Sequence, residues 1–491
     1  MKTNKSKILH LTIIILGIIF LALPVFHTNL WFDESYSVAL AEHNFIDIWE
    51  IGGNDVHPIL YYMILHILNI ISGNNIMILR MFSWICISLV GILGYTHIRK
   101  DFGEKTGIIF SFLALFLPVS GLYSGEIRMY SLGLLLGTLT AIYAYRIYKN
   151  NINKATFIIF LLSSLALAYT HYYGLMLAGI VNLILFIYLI KNYKERKKDL
   201  IKFIISAAVQ VVAYIPWLVN FVIQLKGVSS GFWITLVFPD TLYEILTMQY
   251  KGNLEMIPAV IITLAFYIYI IYRYIVLKKN KEDLKACSWC FIIYLAIIII
   301  ALLISLCMHS VILLYRYLLI ITGLLIFAIS DIMAKNKKIY LSIIICICVL
   351  LISVYSMCLN IKEVYNKNNN DCIDYIKENI ETTDIIVYSN AINGAVISTK
   401  LSSDNNISYF YNKDNWGIYE AYKAYLPYME VKDTLEEILD SYEGRIWLIE
   451  RENTSDLYNE ISSKYDVEKL ENKSFKSEYK NYSYTVELIK K

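Results

Sequence analysis

Residues 57–72, HPILYYMILHILNIIS, decide how the chain is threaded. The stretch is apolar and helical in pattern, yet a helix that crosses the hydrocarbon core of a bilayer needs about 20 residues. Eleven longer apolar runs surround it, at residues 8–26, 76–98, 106–123, 127–148, 155–172, 174–191, 201–224, 255–278, 287–308, 311–333 and 338–359. Short basic breaks separate many of them: HIRKDFGEK, YRIYKNNINK, KNYKERKKDL, YRYIVLKKNKEDLK and AKNKK. With 57–72 kept out of the count, all of these breaks fall on the same side as the N-terminus. That side then carries 22 Lys and Arg, against five near the other: Arg80, Arg128, Lys226, Lys251 and Arg316. Counting 57–72 as a span would invert every later loop and destroy this asymmetry. It reads as an amphipathic helix in or against the external interface.

The expectation is a polytopic α-helical protein of the cytoplasmic membrane, with a cytoplasmic N-terminus and an extracytoplasmic C-terminus. Composition agrees: of 491 residues 57 % are hydrophobic and 17 % charged, where a soluble domain carries about 25 % charge. The net charge of +3 says little without its distribution. The opening MKTNKSKILHLTIIILGIIFLALPVF has the basic start and apolar core of a signal sequence and no small-residue cleavage site, so it reads as a retained anchor. Seven of the eight cysteines lie in or beside apolar runs, which suits packing better than a disulfide framework. The CxxC of Cys287 and Cys290 has no second pair or histidine cluster near it.

Two segments stand outside the spans. Residues 27–75 form one external loop with Asp33, Glu34, Glu42, Asp47, Glu50 and Asp55 and no Lys or Arg, long enough to be a structured lid. This loop is assigned to a transmembrane catalytic domain, residues 1–360. Residues 361–491 read as a small extracytoplasmic α/β domain: CIDYIKENI and DTLEEILDSY as helices, DIIVYS, GRIWLIE and YTVELI as strands. GGND and SGNN are turns and not phosphate loops, and no nucleic-acid partner is expected.

Ionisable residues gather at the external end of the spans: Asp33, Glu34, His57, Arg80, Glu126, Arg128, His171 and Arg316. A charge within a span costs about 2.5–3.5 kcal/mol on insertion scales, so a charge kept there is commonly paired or functional. Snorkelling or packing pairs explain any single Arg; several Arg, acid and His groups at one level are harder to explain so. Guanidinium suits phosphate through its forked donors, and a carboxylate can take a proton from an attacking hydroxyl. A lipid-phosphate-linked sugar would use both.

The ordered motifs WFDE (31–34), HPILYY (57–62), GEIRMYSL (125–132), THYYG (170–174) and RYL (316–318) resemble the dolichyl-phosphate-mannose protein mannosyltransferase family and its microbial relatives. That glycosyltransferase family 39-like group and the lipid A aminoarabinose transferases share the glycosyltransferase-C superfamily. The likeness covers roughly residues 10–330. It implies a polyprenyl-phosphate sugar donor, membrane lipids as surroundings, and a protein, lipid or cell-envelope glycan as acceptor. Asp33 matches the family's catalytic aspartate, the base that deprotonates the acceptor hydroxyl or amine. Arg128 and Arg316 take the donor phosphate. Glu34, His57, Glu126, Tyr130, His171 and Tyr172 take substrate-binding places, with His57 orienting the lid or capping the interfacial helix. Adjacent carboxylates point in different directions on a helix or a strand, so Asp33 and Glu34 divide into one base and one orienting group, and the reaction inverts. No cofactor is required; a divalent cation is left open, without assigned ligands. The chain departs from the family at His57-Pro58-Ile59, where the family has His-Pro-Pro, and at Gly125, where it often has a basic residue. Sugar and acceptor stay open on that account.

Three other readings compete. A transporter or flippase for lipid-linked sugars would place charges near the bilayer midplane and repeat itself internally. A non-enzymatic membrane binding protein would leave the charges unused. A glycosidase would pair Asp33 with Glu126.

Overall fold

The computed structural model describes residues 2–153, 155–230, 234, 237, 239–250, 256–401, 407–413, 419–451 and 456–491. Lys154 and Lys251, counted above among the basic residues, lie outside the described residues. The chain divides into two compact units. One comprises Met1–Phe26, Val56–Tyr61 and Arg80–Leu359; the other comprises His27–Asp55, Tyr62–Leu79 and Asn360–Lys491.

The first unit is helical. Among the described residues eight helices are long and apolar enough to cross a membrane, or nine when one bent pair counts as a single span. All eleven apolar runs become helices, but two do not meet the length and apolarity of a span. Residues 155–172 shorten to Thr156–Ala168, 13 residues or about 20 Å, because His171 adopts an extended backbone and starts the next helix. The Tyr130–Tyr148 helix is diluted by Ser131, Thr138, Thr140 and Arg146, all buried. A helix packed among its neighbours needs no continuous apolar surface for lipid. The bent pair is Glu104–Phe116 with Pro118–Ser124, turned by 55°. Pro118 disfavours helical backbone at the residue before it, and Leu117 is extended at ψ 137°. Residues 60–72 form a 13-residue helix, Leu60–Ser72, too short to span, as expected for 57–72; from Tyr62 onward it belongs to the second unit.

Burial sorts these helices from centre to rim. The apolar stretch of Tyr315–Ala334 is 94 % buried, whereas that of Ile257–Lys279 is 17 % buried and shows isoleucines outward. The central helix meets Tyr130–Tyr148 at glycines: a Cβ at Gly137 would lie 2.7 Å from the Ile320 carbonyl oxygen, and one at Gly133 2.8 Å from the Ile320 side chain. Small residues let helix backbones approach where lipid offers no hydrophobic drive for association.

The second unit carries a six-stranded sheet, ordered β3-β2-β1-β4-β6-β5. Its strands are β1 (Ile385–Tyr388), β2 (Ile407–Tyr411), β3 (Glu430–Lys432), β4 (Arg445–Arg451), β5 (Glu468–Ser477) and β6 (Tyr482–Lys490). β1 pairs in parallel with β2 and β4, and β2 with β3; β6 runs antiparallel between β4 and β5. The three apolar strands expected from sequence are β1, β4 and β6. β5 reads EKLENKSFKS and has mostly exposed side chains, so no apolar pattern marked it. Of DTLEEILDSY only Glu436–Leu439 is helical. Ile385, Val387, Ile446, Leu448, Ile461 and Ile489 build the core beneath the sheet. The same unit holds the helices Phe32–Glu42 and Phe45–Gly53, the second capped by Asn44, which accepts from the Ile46 and Asp47 amides.

Two expectations follow. Gly137→Ala forces a methyl against a backbone oxygen that cannot rotate away, and should cost about 1–3 kcal/mol in thermal unfolding of the detergent-solubilised chain. Gly179→Ala, with nothing within 4 Å of the new carbon, should cost nothing or stabilise slightly through helix propensity. The second expectation concerns Glu450, fully buried on β4. Burial pushes its carboxyl up to about 7, partly offset by the Leu457 amide it accepts, with Glu487 and Asp456 adding to the rise. The folded state then holds a proton that the unfolded chain releases near the ordinary carboxylate range. Stability contributed by this group is present at acid pH and falls as pH rises to about 7. Hydrogen exchange of β4 amides, corrected for intrinsic pH dependence, should show that fall, and Glu450→Gln should flatten it.

Candidate active site

The candidate residues fall into two sets, one in each unit. In the second unit Asp33 and Glu34 lie in the first turn of the Phe32–Glu42 helix, where the helix dipole favours negative side chains by about 0.3–1 kcal/mol. Their environments differ as adjacent helical positions should. Glu34 is fully buried and accepts a 3.0 Å hydrogen bond from the Tyr479 hydroxyl; Asp33 is half-buried. Residues distant in sequence surround this helix start. The Phe32 amide donates to the Tyr482 hydroxyl at 2.9 Å, and the Lys480 ammonium lies 5.0 Å from the Trp31 ring. Ser35 Oγ and the Tyr425 hydroxyl are 3.4 Å apart, and His43 Nε2 donates to the Ala424 carbonyl at 2.9 Å. Burial pushes the Tyr482 phenol up to about 12, and the Asp33 charge acts in the same direction. Tyr482 is therefore neutral at physiological pH.

Tyr425, Tyr479 and Tyr482 were not expected from sequence. They are aromatic residues 390–450 positions from the helix they touch. No local pattern signals such contacts.

In the first unit the structure brings His57, Tyr130 and His171 around the Tyr317 ring. Ring centres of His57 and His171 are 4.9 Å apart, and Tyr317 stands 4.7 Å from His171, 5.8 Å from His57 and 6.1 Å from Tyr130. Tyr173 joins at 5.5 Å from Tyr317. Tyr317 follows Arg316 in sequence and could have been singled out with it, since both open the same central helix.

Local chemistry explains how each is held. His171 Nδ1 accepts the Tyr173 amide at 3.1 Å as helix cap, which leaves the proton on Nε2. Nε2 is buried and has no hydrogen-bond partner among the described residues; the same holds for His57 Nδ1. The loop of Glu126 and Arg128 is tied at its start: Arg80 donates to the Gly125 carbonyl, and Ser83 donates to the Glu126 carbonyl at 2.5 Å. Glu126 and Arg128 are both buried. Tyr172 opens the helix that His171 caps. Its hydroxyl donates to Gln224 Oε1 at 2.5 Å, and Gln224 Nε2 donates to the His57 carbonyl at 3.3 Å.

Burial above all keeps both imidazoles neutral. Burial, with the guanidinium charges of Arg128 and Arg316 acting in the same direction, holds His57 well below the usual imidazole range. Burial and Arg128 bring His171 down to about 3. Neutral imidazoles next to guanidinium groups offer N–H donors without adding positive charge, an arrangement suited to a polar, anionic ligand. Among the described residues no group of three or more His, Cys, Asp or Glu side chains is placed to hold a metal ion.

The fold of this chain has a counterpart among solved structures. It is similar over nearly its whole length to ArnT from Cupriavidus metallidurans in the apo state, with a TM-score of 0.61, 9 % identity, and 99 % of this chain and 98 % of that chain covered. The same protein bound to undecaprenyl phosphate gives a TM-score of 0.59 and 10 % identity, covering 98 % and 97 %. The S. cerevisiae protein O-mannosyltransferase Pmt1–Pmt2 complex bound to the sugar donor is less alike in shape, at TM-score 0.34 and 17 % identity over 45 % of this chain and 34 % of that one. No family model and no curated protein matches the sequence.

Tyr479→Phe removes a hydrogen bond from a buried carboxylate, a loss of about 1.5–3 kcal/mol. Hydrogen exchange in the Phe32–Glu42 helix should accelerate accordingly, with β5 amides unchanged. Unchanged exchange in the helix would show that Tyr479 does not hold Glu34.

Proposed function

We propose that this chain is a membrane glycosyltransferase that moves a sugar from a polyprenyl-phosphate donor to an acceptor hydroxyl or amine. The observation that carries the reading is the end-to-end likeness in fold to ArnT, a protein whose structure has also been determined bound to undecaprenyl phosphate. The basic breaks support a cytoplasmic-membrane location with the N-terminus inside and the α/β domain outside.

In this mechanism Asp33 takes the acceptor proton as the new bond forms at the anomeric carbon. Glu34, tied to Tyr479, orients the helix start and the acceptor. Polyprenyl phosphate leaves, and Arg128 and Arg316 meet the charge that builds on it. Charge stabilisation is worth most where water is excluded, and Arg128 is buried. The neutral His57 and His171 donate hydrogen bonds to the sugar or its phosphate, Tyr130 offers the sugar a ring face, and Glu126 binds a sugar hydroxyl. A single displacement inverts the anomeric configuration and forms no covalent sugar–enzyme intermediate.

The test uses purified chain in liposomes, a panel of labelled polyprenyl-phosphate sugars, and membrane extract as the acceptor source. Asp33→Asn should reduce label transfer by at least about 100-fold, the lower range for a general base. Arg128→Lys keeps the charge but loses the fork, and should slow transfer by about 10-fold or more while leaving the fold intact. Full activity in Asp33→Asn, or product with the anomeric configuration of the donor, would overturn the mechanism.

A further inference from the structure

One cavity within the first unit lies away from the His–Tyr–Arg cluster. It encloses about 330 Å³, a volume at the lower end for small-molecule sites. Its walls include Phe110, Ala141, Leu185, Ile293, Leu324 and Phe327, and Thr138 is among its few polar wall residues. Tyr148, Tyr188, Lys191 and Trp289 also line it, and their places near helix ends make that side its mouth.

Position along the helices separates it from the candidate site. His171 caps the start of Tyr172–Lys191 and Tyr130 begins Tyr130–Tyr148, so the cluster sits at the N-terminal ends of both helices. The cavity runs along the same helices from Thr138 to Tyr148 and from Val181 to Lys191. Ten residues of helix rise about 15 Å, half of a hydrocarbon core of about 30 Å. The cavity therefore has the depth of one leaflet, and it lies in the leaflet opposite the cluster. Aromatic residues and a lysine at its mouth match the composition of a membrane–water interface.

Charge at the mouth selects among lipids. Lys149 lies 5.9 Å from the Tyr145 ring and 6.0 Å from that of Tyr148, and pairs with Asp283 at 3.6 Å. Arg196 lies 6.0 Å from the Tyr188 ring and pairs with Asp199 at 2.7 Å. Lys191 is exposed and has no acidic partner among the described residues. An uncommitted ammonium over an apolar slot of leaflet depth complements an anionic headgroup with its chain beneath it.

We propose that this cavity binds one acyl chain of an anionic glycerophospholipid, with the phosphate at Lys191, as a lipid site separate from that of the sugar donor. The proposal rests on these helices spanning a bilayer and not on the transferase reading.

Trp289 reports on the site because it lines the mouth and is 45 % exposed. The full chain is placed in phosphatidylcholine vesicles doped with chain-brominated phosphatidylglycerol or, separately, chain-brominated phosphatidylcholine. Quenching of Trp289 is read as wild type minus Trp289→Phe. Brominated phosphatidylglycerol should reach half-quenching at a roughly fivefold lower mole fraction, the factor for about 1 kcal/mol per basic residue. Lys191→Ala, at an exposed position, should remove that preference, and Ala141→Phe should abolish quenching by filling the slot. Equal quenching by both lipids, or an unchanged preference in Lys191→Ala, would reduce the cavity to ordinary boundary lipid and overturn the proposal. Relief of quenching by equimolar unlabelled polyprenyl phosphate would assign the slot to the donor's tail and overturn it as well.

Discussion

The backbone contact between Gly137 and Ile320 is the constraint on which the first unit depends. Apolar side chains gain little by leaving lipid for each other, so helices in a bilayer associate through close packing and polar contacts. The two glycines of Tyr130–Tyr148 let the central helix approach until side chain and carbonyl of Ile320 fill the space where Cβ atoms would stand. Tyr317, one turn before Ile320, is thereby held against Tyr130 and His171. The ring cluster is a consequence of helix packing, and its neutral imidazoles are a consequence of the burial that packing produces.

Polar groups in this unit follow the same economy. Several of them sit at helix ends, where a broken backbone already leaves donors and acceptors to satisfy. His171 does two things at such a break: its Nδ1 caps the following helix, and its Nε2 is left as a buried donor. Arg80 and Ser83 spend their donors on carbonyls of the 125–126 turn and fix the loop that bears Glu126 and Arg128. Lys191 and Lys149 occupy the other ends of the helices, where an interface and its lipid headgroups would stand.

In the second unit the constraint is a buried carboxylate. Glu34 needs donors once it leaves water, and Tyr479 is one of them. Tyr482 and Tyr425 fasten the neighbouring turns of the same helix. The late strands and turns of the chain are therefore part of the surroundings of Asp33, and the C-terminal sheet has a structural role in positioning the candidate base.

Much of this was legible in sequence. Apolar runs mark the long helices of the first unit, because a bilayer demands continuous apolar length and the chain has few other ways to meet it; the short Asp240–Thr247 helix left no such mark. The shortness of 57–72 and the one-sided distribution of Lys and Arg were enough to set that segment apart. The apolar strands β1, β4 and β6 were readable, since their burial in the sheet needs unbroken hydrophobic runs, whereas polar β5 left no such mark. Arg128, Arg316, His57 and His171 could be named because charge and imidazole are conspicuous in apolar surroundings, whereas Tyr130 was named only through the family resemblance. Tyr317 was legible only through its neighbour Arg316, with which it opens the central helix. The pairing of the 27–55 loop with residues beyond 360 was not readable at all. Local sequence carries propensity, apolar period and charge, and these act over a few turns. Which side chain meets another hundreds of residues away is decided by packing of the whole chain, and only the tertiary structure holds that information.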